Sequence, residues 1–452
     1  MKKLLTLILL ATVLIVSAGT ATKAPKYVFL FIGDGMASPQ RMVADEFARH
    51  AGHDRLVINQ MPFHGTTRTG STDSLVTDSA ASGTAIACGE KTYNGAIGIA
   101  ADGKRKLVSS ADIAKSTGKK VGIVTTVAIN NATPAAFYAH RTSRSQLYEI
   151  GLDLINSNFD YFAGSGWDGA ENNTKSKEYK GNLDALAKEA GFSVITKESD
   201  FKALKPGSGK ILIHTPAIFA IDHPKNYDFT LANLTAKGIE LLDNKDGFFM
   251  MVEGGRIDHA GHANDAAPNL REVLAFDDAV RVAIEFAKKH ADETLIVVTG
   301  DHETGGMTMG FAATGYAMYM ERLAFQKCST AMLKEIIKEE REYKLEMENM
   351  NLNYEDITQI LSNYYGFVFD EESKSPMKLS SSQKAKIKDA YKSSSLPDTA
   401  RRIMAEKAGI GWSTGAHTAL PVLTTATGKC AEKFTGFYEN SDISIRLKEI
   451  LK

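Results

Sequence analysis

The sequence predicts an α/β fold: a mostly parallel central sheet with helices on both faces, interrupted by a helical insertion. Three observations point there. Five short runs are apolar on both faces, helix-periodic stretches separate them, and a charged segment without strand-like clusters comes after the last of them. The runs are KYVFLFIGD (26–34), KVGIVTTV (120–127), GKILIHT (209–215), GFFMMVEGG (247–255) and ETLIVVTGD (293–301). Stretches such as LTAKGIELLD and VLAFDDAVRVAIEFAKKH, with helical spacing of their apolar residues, lie among them. Most of the runs finish in polar, reactive residues: Asp34, the pair Asn130 and Asn131, Glu253, and Asp301 with His302. Ligands of open parallel sheets bind beyond the carboxyl ends of the strands, so these endings are expected to converge on one site.

From about 310 to 410 the chain reads STAMLKEIIKEEREYKLEMENM, YEDITQILSNYYG and SSQKAKIKDAYKSSS, charged and helical, with Ser329 and Ser381 as expected N-caps. We divide the chain into a signal peptide (1–21), an α/β core (22–310 and 411–452) and the helical insertion (311–410). The last stretch returns to short apolar runs and a terminal helix, and carries one more histidine in the loop STGAHTA. The N-terminus has the order of a secretory signal: Lys2 and Lys3, an apolar run from Leu4 to Val16, then small residues through Ala21. An uncleaved anchor is the alternative reading; the run is short for a membrane span. The expectation is an exported protein, periplasmic or extracellular, without a stable membrane anchor.

A formal net charge of -1 with interspersed signs leaves no basic face for nucleic acid, and a small-molecule or protein partner is expected. Cys88, Cys328 and Cys430 are too few for a disulfide framework, although one bridge could form, and Cys88 reads as a buried free thiol.

Five motifs carry chemistry. In VTDSAASGTA, Asp78 or Ser79 can cap a helix whose N-terminal N–H groups suit an anion, and a serine there is placed to attack phosphorus. In FIGDGM, Asp34 ends a strand between two glycines. In VEGGRIDHAGHAND, Asp258 and His262 share a face of a helical turn, as two ligands of one metal would. Glu253, upstream, offers hard carboxylate oxygen of the kind Mg2+ prefers. VTGDHETGG supplies Asp301 and His302, and GAHTA supplies His417. Three carboxylates (Asp34, Asp258, Asp301) and three imidazoles (His262, His302, His417) make the mixed set that two zinc ions sharing six ligands would need.

In order along the chain, IGDGM, VTDSAASGTA, NATPAAFYAH with RTSR, VEGGRIDHAGH, VTGDHETGG and GAHTA resemble the alkaline phosphatase family over nearly all of the chain outside the insertion. The resemblance implies an alkaline phosphatase-like fold and a phosphomonoesterase with two Zn2+ and one Mg2+ per chain. It implies Ser79 as the nucleophile that becomes phosphoserine and Arg144 as the phosphate clamp. Asp258, His262 and His417 would hold one zinc; Asp34, Asp301 and His302 the second; Asp34, Thr133 and Glu253 the magnesium. Broad phosphate monoester specificity and a homodimer are implied as well.

Asn131 departs from the pattern, since many members carry Asp or His there, and we expect weaker or altered binding at the third site. His259 stands where some members carry lysine; contact to phosphate through water and a supporting role behind the ligands both remain open. A related phosphodiesterase would need room where Arg144 stands, a sulfatase would need a CxPxR-type motif that Cys88 lacks, and a pure binding protein would need no Ser79.

Overall fold

The computed structural model describes residues 24–169 and 171–452, so the expected signal peptide lies outside the described residues. Among the described residues fourteen strands are numbered in chain order: β1 Tyr27–Gly33, β2 Phe63–Arg68, β3 Lys120–Thr125, β4 Tyr161–Gly164, β5 Phe192–Ile195, β6 Lys210–His214, β7 Phe248–Gly254, β8 Thr294–Gly300, β9 Glu303–Thr304, β10 Met307–Met309, β11 Ile410–Trp412, β12 His417–Thr418, β13 Val422–Gly428 and β14 Gly436–Glu439. Ten form one sheet in the order β14-β2-β13-β8-β1-β7-β3-β4-β6-β5. Only β13 runs against its neighbours, so the sheet is mostly parallel, as the apolar runs require.

Every residue of β1, β7 and β8 is buried, and alternation sends their side chains to two cores. Tyr27, Phe29 and Phe31 pack with Phe276 and Val280 of the helix Ala266–Lys289 and with Val43 and Phe47 of the helix Ser38–His50. Val28, Leu30 and Ile32 join the core that holds Ile86, Phe137, Ile150 and Leu447 on the other face. Register positions the site. Gly33 aligns with Gly254 on one side and Gly300 on the other, and Thr125 aligns with Glu253. Asp34, Glu253 and Asp301 therefore emerge at one level from adjacent strands.

The helix Ser79–Cys88 is buried along its whole length. A Cβ on Gly83 would lie 3.3 Å from Ala136 Cβ and from Thr133 Cα, so the small side chains serve close helix packing. At the far end, Lys448 Nζ donates to the Cys88 carbonyl (2.6 Å) and complements the negative end of the helix dipole. The room in this stretch thus goes mainly to its neighbours, and only its N-terminus faces the site.

Between 311 and 410 the structure has four α-helices, Thr330–Glu348, Tyr354–Tyr365, Ser381–Ala390 and Leu396–Ala408, bracketed by antiparallel pairing of β10 with β11. Ser329 caps the first, accepting from the Met332 N–H. The expected cap at Ser381 falls instead on Ser380. With Gln383 three residues on, Ser380 can form a reciprocal capping box, and Ser381 becomes the first helical residue. Leu323, Leu333, Ile357 and Ile403 continue the core that contains Phe31 and Phe47, so this segment packs on the sheet's own helices. All three cysteines are free, with Cys88 and Cys328 buried.

Candidate active site

Asp78 is the N-cap: its Oδ1 accepts from the Ala81 N–H at 2.9 Å, which leaves Ser79 as the first helical residue. Ser79 is buried, with Oγ 3.2 Å from His302 Nε2. The same Nε2 lies 3.3 Å from Asp34 Oδ1 and 3.2 Å from Asp301 Oδ2, two buried oxygens without a hydrogen-bond partner. Asp301 is aimed by its other oxygen, which accepts from the N–H groups of Gly35 (3.0 Å) and His302 (2.8 Å). Burial pushes the Asp34 and Asp301 carboxyls well above their usual range, and neighbouring carboxylates push further. Burial also pushes His302 well below its ordinary value, which favours the neutral ring.

Beside this group stands a second. His262 Nε2 is 3.1 Å from His417 Nε2, 3.3 Å from Asp258 Oδ2, and His417 Nε2 is 3.5 Å from Asp258 Oδ1. The i, i+4 spacing on the helix Arg256–His262 thus brings Asp258 and His262 together as expected. Both imidazoles have Nδ1 against a backbone carbonyl, Gly415 for His262 and Thr77 for His417, each at 2.8 Å. A carbonyl only accepts, so each Nδ1 carries hydrogen and each Nε2 is left to face the other. Two lone pairs at that distance repel; a proton or a metal cation must lie between them. A hydrogen bond to Asp258 raises His262 to about 9, the signature of a proton taken up there. Burial opposes the Asp258 carboxylate, but the His262 hydrogen bond and the surrounding imidazoles outweigh it and hold it below the usual carboxylate range.

The third cluster is all oxygen. Thr133 Oγ1 is 3.3 Å from Asp34 Oδ2, so Asp34 faces two ways. Glu253 Oε2 accepts from Thr125, whose hydroxyl in turn accepts from the Val127 N–H at 3.0 Å. Glu253 Oε1 is buried without a partner, and burial pushes the carboxyl up to about 7. Orphaned carboxylate oxygens at Asp34, Asp301 and Glu253, beside imidazole Nε2 atoms turned toward carboxylates and toward each other, form a donor set that fits cations. The groups Asp34, Asp301, His302 and Asp258, His302, His417 each have ligand atoms within 4.8 Å of one another.

Arg144 Nη1 lies 3.2 Å from Asp78 Oδ2, over the N-terminus of the Ser79 helix. Asn131 caps the short helix Ala132–Ala135, its Oδ1 accepting from the Ala132 N–H at 2.6 Å. His259 is exposed on the same helix as Asp258. Asn130, read as a reactive strand ending, is instead a structural staple. Its amide donates to the carbonyls of Leu147 (3.2 Å) and Asp168 (3.4 Å), and its oxygen accepts from the Asp168 N–H (2.8 Å). Sequence reasoning also passed over Thr125, Glu303 and Thr304, although the last two stand inside VTGDHETGG. A groove of about 670 Å³, lined by Phe47, His53, Leu56, Arg271 and Asp278 among others, contains none of these residues; donor chemistry, not size, marks the site.

Gly35 is a sensitive point, with φ of +72° and space for a Cβ only 2.8 Å from Thr304 Oγ1 and 2.9 Å from Asp258 Cα. Gly35→Ala is expected to cost about 1–3 kcal/mol and to displace Asp258. Thermal denaturation of the variant checks it; an unchanged Tm would refute the close packing.

Comparisons with known proteins bear on the family and the fold. The family model for alkaline phosphatase matches residues 25–452. Alkaline phosphatase 4 of Bacillus subtilis (strain 168) is 33% identical over 444 residues, covering 94% of this chain and 88% of its own. The cold-active alkaline phosphatase of the psychrophile Shewanella sp. superposes with a TM-score of 0.80 at 27% identity, covering 94% of this chain and 100% of that one. A variant of the TAB5 alkaline phosphatase, with a histidine changed to aspartate and Mg bound in its M3 site, matches with a TM-score of 0.67 at 28% identity over 95% of this chain and 99% of that one. With its sheet, its ordered motifs and these relatives in agreement, the chain belongs to the alkaline phosphatase family of phosphomonoesterases.

Proposed function

We propose that this protein hydrolyses phosphate monoesters through a phosphoserine on Ser79, with two zinc ions and one magnesium ion as cofactors. The observation that carries the reading is the placement of Ser79 Oγ 3.2 Å from His302 Nε2, at the edge of buried carboxylates whose outer oxygens lack partners. Asp258, His262 and His417 would hold one zinc, Asp34, Asp301 and His302 the other, and Asp34, Thr133 and Glu253 the magnesium. When bound, such ions neutralise the attacking and leaving oxygens and the charge on the phosphoryl group.

The chain's own residues do the rest. Ser79 Oγ gives up its proton to solvent base at alkaline pH and attacks phosphorus in line; the Oγ–P bond forms as the ester P–O bond breaks, and the ester oxygen leaves with its electron pair and takes a proton from water. Arg144, near the helix N-terminus, can leave Asp78 and donate two parallel hydrogen bonds to non-bridging oxygens. The first-turn N–H groups of the Ser79 helix add positive potential at the same place. Water then attacks phosphorus on the side opposite Ser79 and loses a proton, the Oγ–P bond breaks, and Ser79 Oγ takes a proton back, so two inversions give net retention. Every named contact is to the phosphoryl end, which leaves the alcohol portion loosely read and the specificity broad.

The test is phosphate release from p-nitrophenyl phosphate at alkaline pH, before chelation, after it, and after zinc and magnesium are restored. Activity that disappears and returns supports the reading; activity indifferent to metal overturns it.

At the third cluster, Asn131 brings an amide where a carboxylate would add charge. Asn131→Asp keeps an N-capping oxygen for Ala132 and adds a negative charge, so magnesium affinity is expected to rise by about tenfold, or roughly 1.4 kcal/mol. The TAB5 variant, with aspartate introduced for a histidine, has Mg bound in its M3 site. Equal affinity in the two proteins, measured by magnesium-dependent activation, would overturn this part. Export and a homodimer belong to the same proposal; among the described residues no helix is long and apolar enough to cross a membrane.

A further inference from the structure

Thr304 stands where both histidine-containing groups meet. In the two-stranded ladder of β9 with β12 it lies opposite His417. Its Oγ1 is 2.5 Å from Asp258 Oδ1 and 3.2 Å from His302 Nδ1. A carboxylate can only accept, so the single hydroxyl hydrogen goes to Asp258. The oxygen then accepts from His302, which must carry hydrogen on Nδ1. That leaves His302 Nε2 bare toward Ser79, Asp34 and Asp301.

The slot is built for this side chain. A Cβ on Gly35 would come within 2.8 Å of Thr304 Oγ1, and one on Gly261 within 3.0 Å of Thr304 Cβ. The strand is pinned by its neighbour Glu303, buried with Oε1 accepting from Gln40 Nε2 (2.7 Å) and the Met307 N–H (3.1 Å), and Oε2 from the Gly306 N–H (3.0 Å) and Thr418 Oγ1 (2.5 Å).

We propose that Thr304 is a positioning residue whose hydroxyl orients Asp258 in one metal group and selects the tautomer of His302 in the other, so that it sets the zinc affinity of both. The inference rests on the two-zinc reading above. Groups behind metal ligands act by fixing the direction and basicity of the donor atom, and here one oxygen does so for two groups.

The test is calorimetric zinc titration of the chelated full chain in three forms. Thr304→Val keeps the branched shape without the hydroxyl and is expected to weaken both binding steps by about 10- to 100-fold. Thr304→Ser keeps the hydroxyl and is expected to titrate like wild type. Unchanged zinc binding in Thr304→Val, or a loss confined to one step, overturns the proposal. Wild-type protein that takes up no zinc overturns the two-zinc reading, and this inference with it. A second measurement does not depend on a variant folding: imidazole 15N shifts of the metal-free wild type should show His302 protonated on Nδ1 alone, and the opposite tautomer would refute the assignment.

Discussion

Ser79→Ala is expected to lower turnover of p-nitrophenyl phosphate by at least about 10³-fold, because it removes the atom that forms the new bond to phosphorus. The fold should survive. Ser79 is the first helical residue, alanine is the better helix former, and the cap belongs to Asp78. Zinc uptake should survive as well, since the ligand groups are built from Asp34, Asp258, Asp301 and three histidines. Near-normal turnover in a folded, zinc-loaded Ser79→Ala protein would remove the serine from the chemistry. Ser82 is the control. Its Oγ donates to the Asp301 carbonyl (2.6 Å) and accepts from Asn440 Nδ2 (3.1 Å), which makes it a structural link rather than a nucleophile.

Removal of the metals should abolish activity and also change how stability depends on pH. In the metal-free chain Asp34 and Asp301 are raised well above ordinary carboxyls by burial, and Glu253 is raised to about 7. A carboxyl with a raised folded-state pKa contributes stability fully below its unfolded pKa and loses it as pH rises through the folded value. For Glu253 the window runs from its ordinary 4.5 to about 7, and the shift corresponds to on the order of 3 kcal/mol. Bound cations favour the ionised carboxylates and should remove that loss. Glu272 (about 7) and Asp277 (about 6) are raised by burial outside the ligand groups and slope the same way in both states. The informative quantity is therefore the difference in Tm between loaded and metal-free protein. Measured by calorimetry from about pH 5 to about pH 8, it should widen with pH; a constant difference would contradict the picture.

Much of this is legible in the sequence because parallel strands announce themselves twice, by continuous apolar runs and by the polar residues at the ends of those runs. Asp34, Glu253 and Asp301 each sit at such an end, and the register of β1, β7 and β8 turns that into a spatial cluster. The short strands β4 and β5 and the partly exposed β2 lack that signal and leave no trace in the pattern. Asn130 has the position of a reactive residue but spends its hydrogen bonds on Leu147 and Asp168, a choice fixed by a loop remote in sequence. Thr304 is hidden for a related reason, since its partner Asp258 is 46 residues away and a hydroxyl has no ligand signature of its own. Ser380 displaces Ser381 because capping depends on the residue three positions further on.

The central claim is that Ser79 carries the phosphoryl group. It is tested most directly by quenching the zinc- and magnesium-loaded enzyme in acid during turnover of p-nitrophenyl phosphate and locating the transferred group by peptide mass spectrometry. Phosphoserine at Ser79, absent from the chelated enzyme and from Ser79→Ala, is the predicted result. Active enzyme that carries no phosphoryl group on Ser79, together with inversion at a chiral phosphate, would contradict the account and point to direct attack by water.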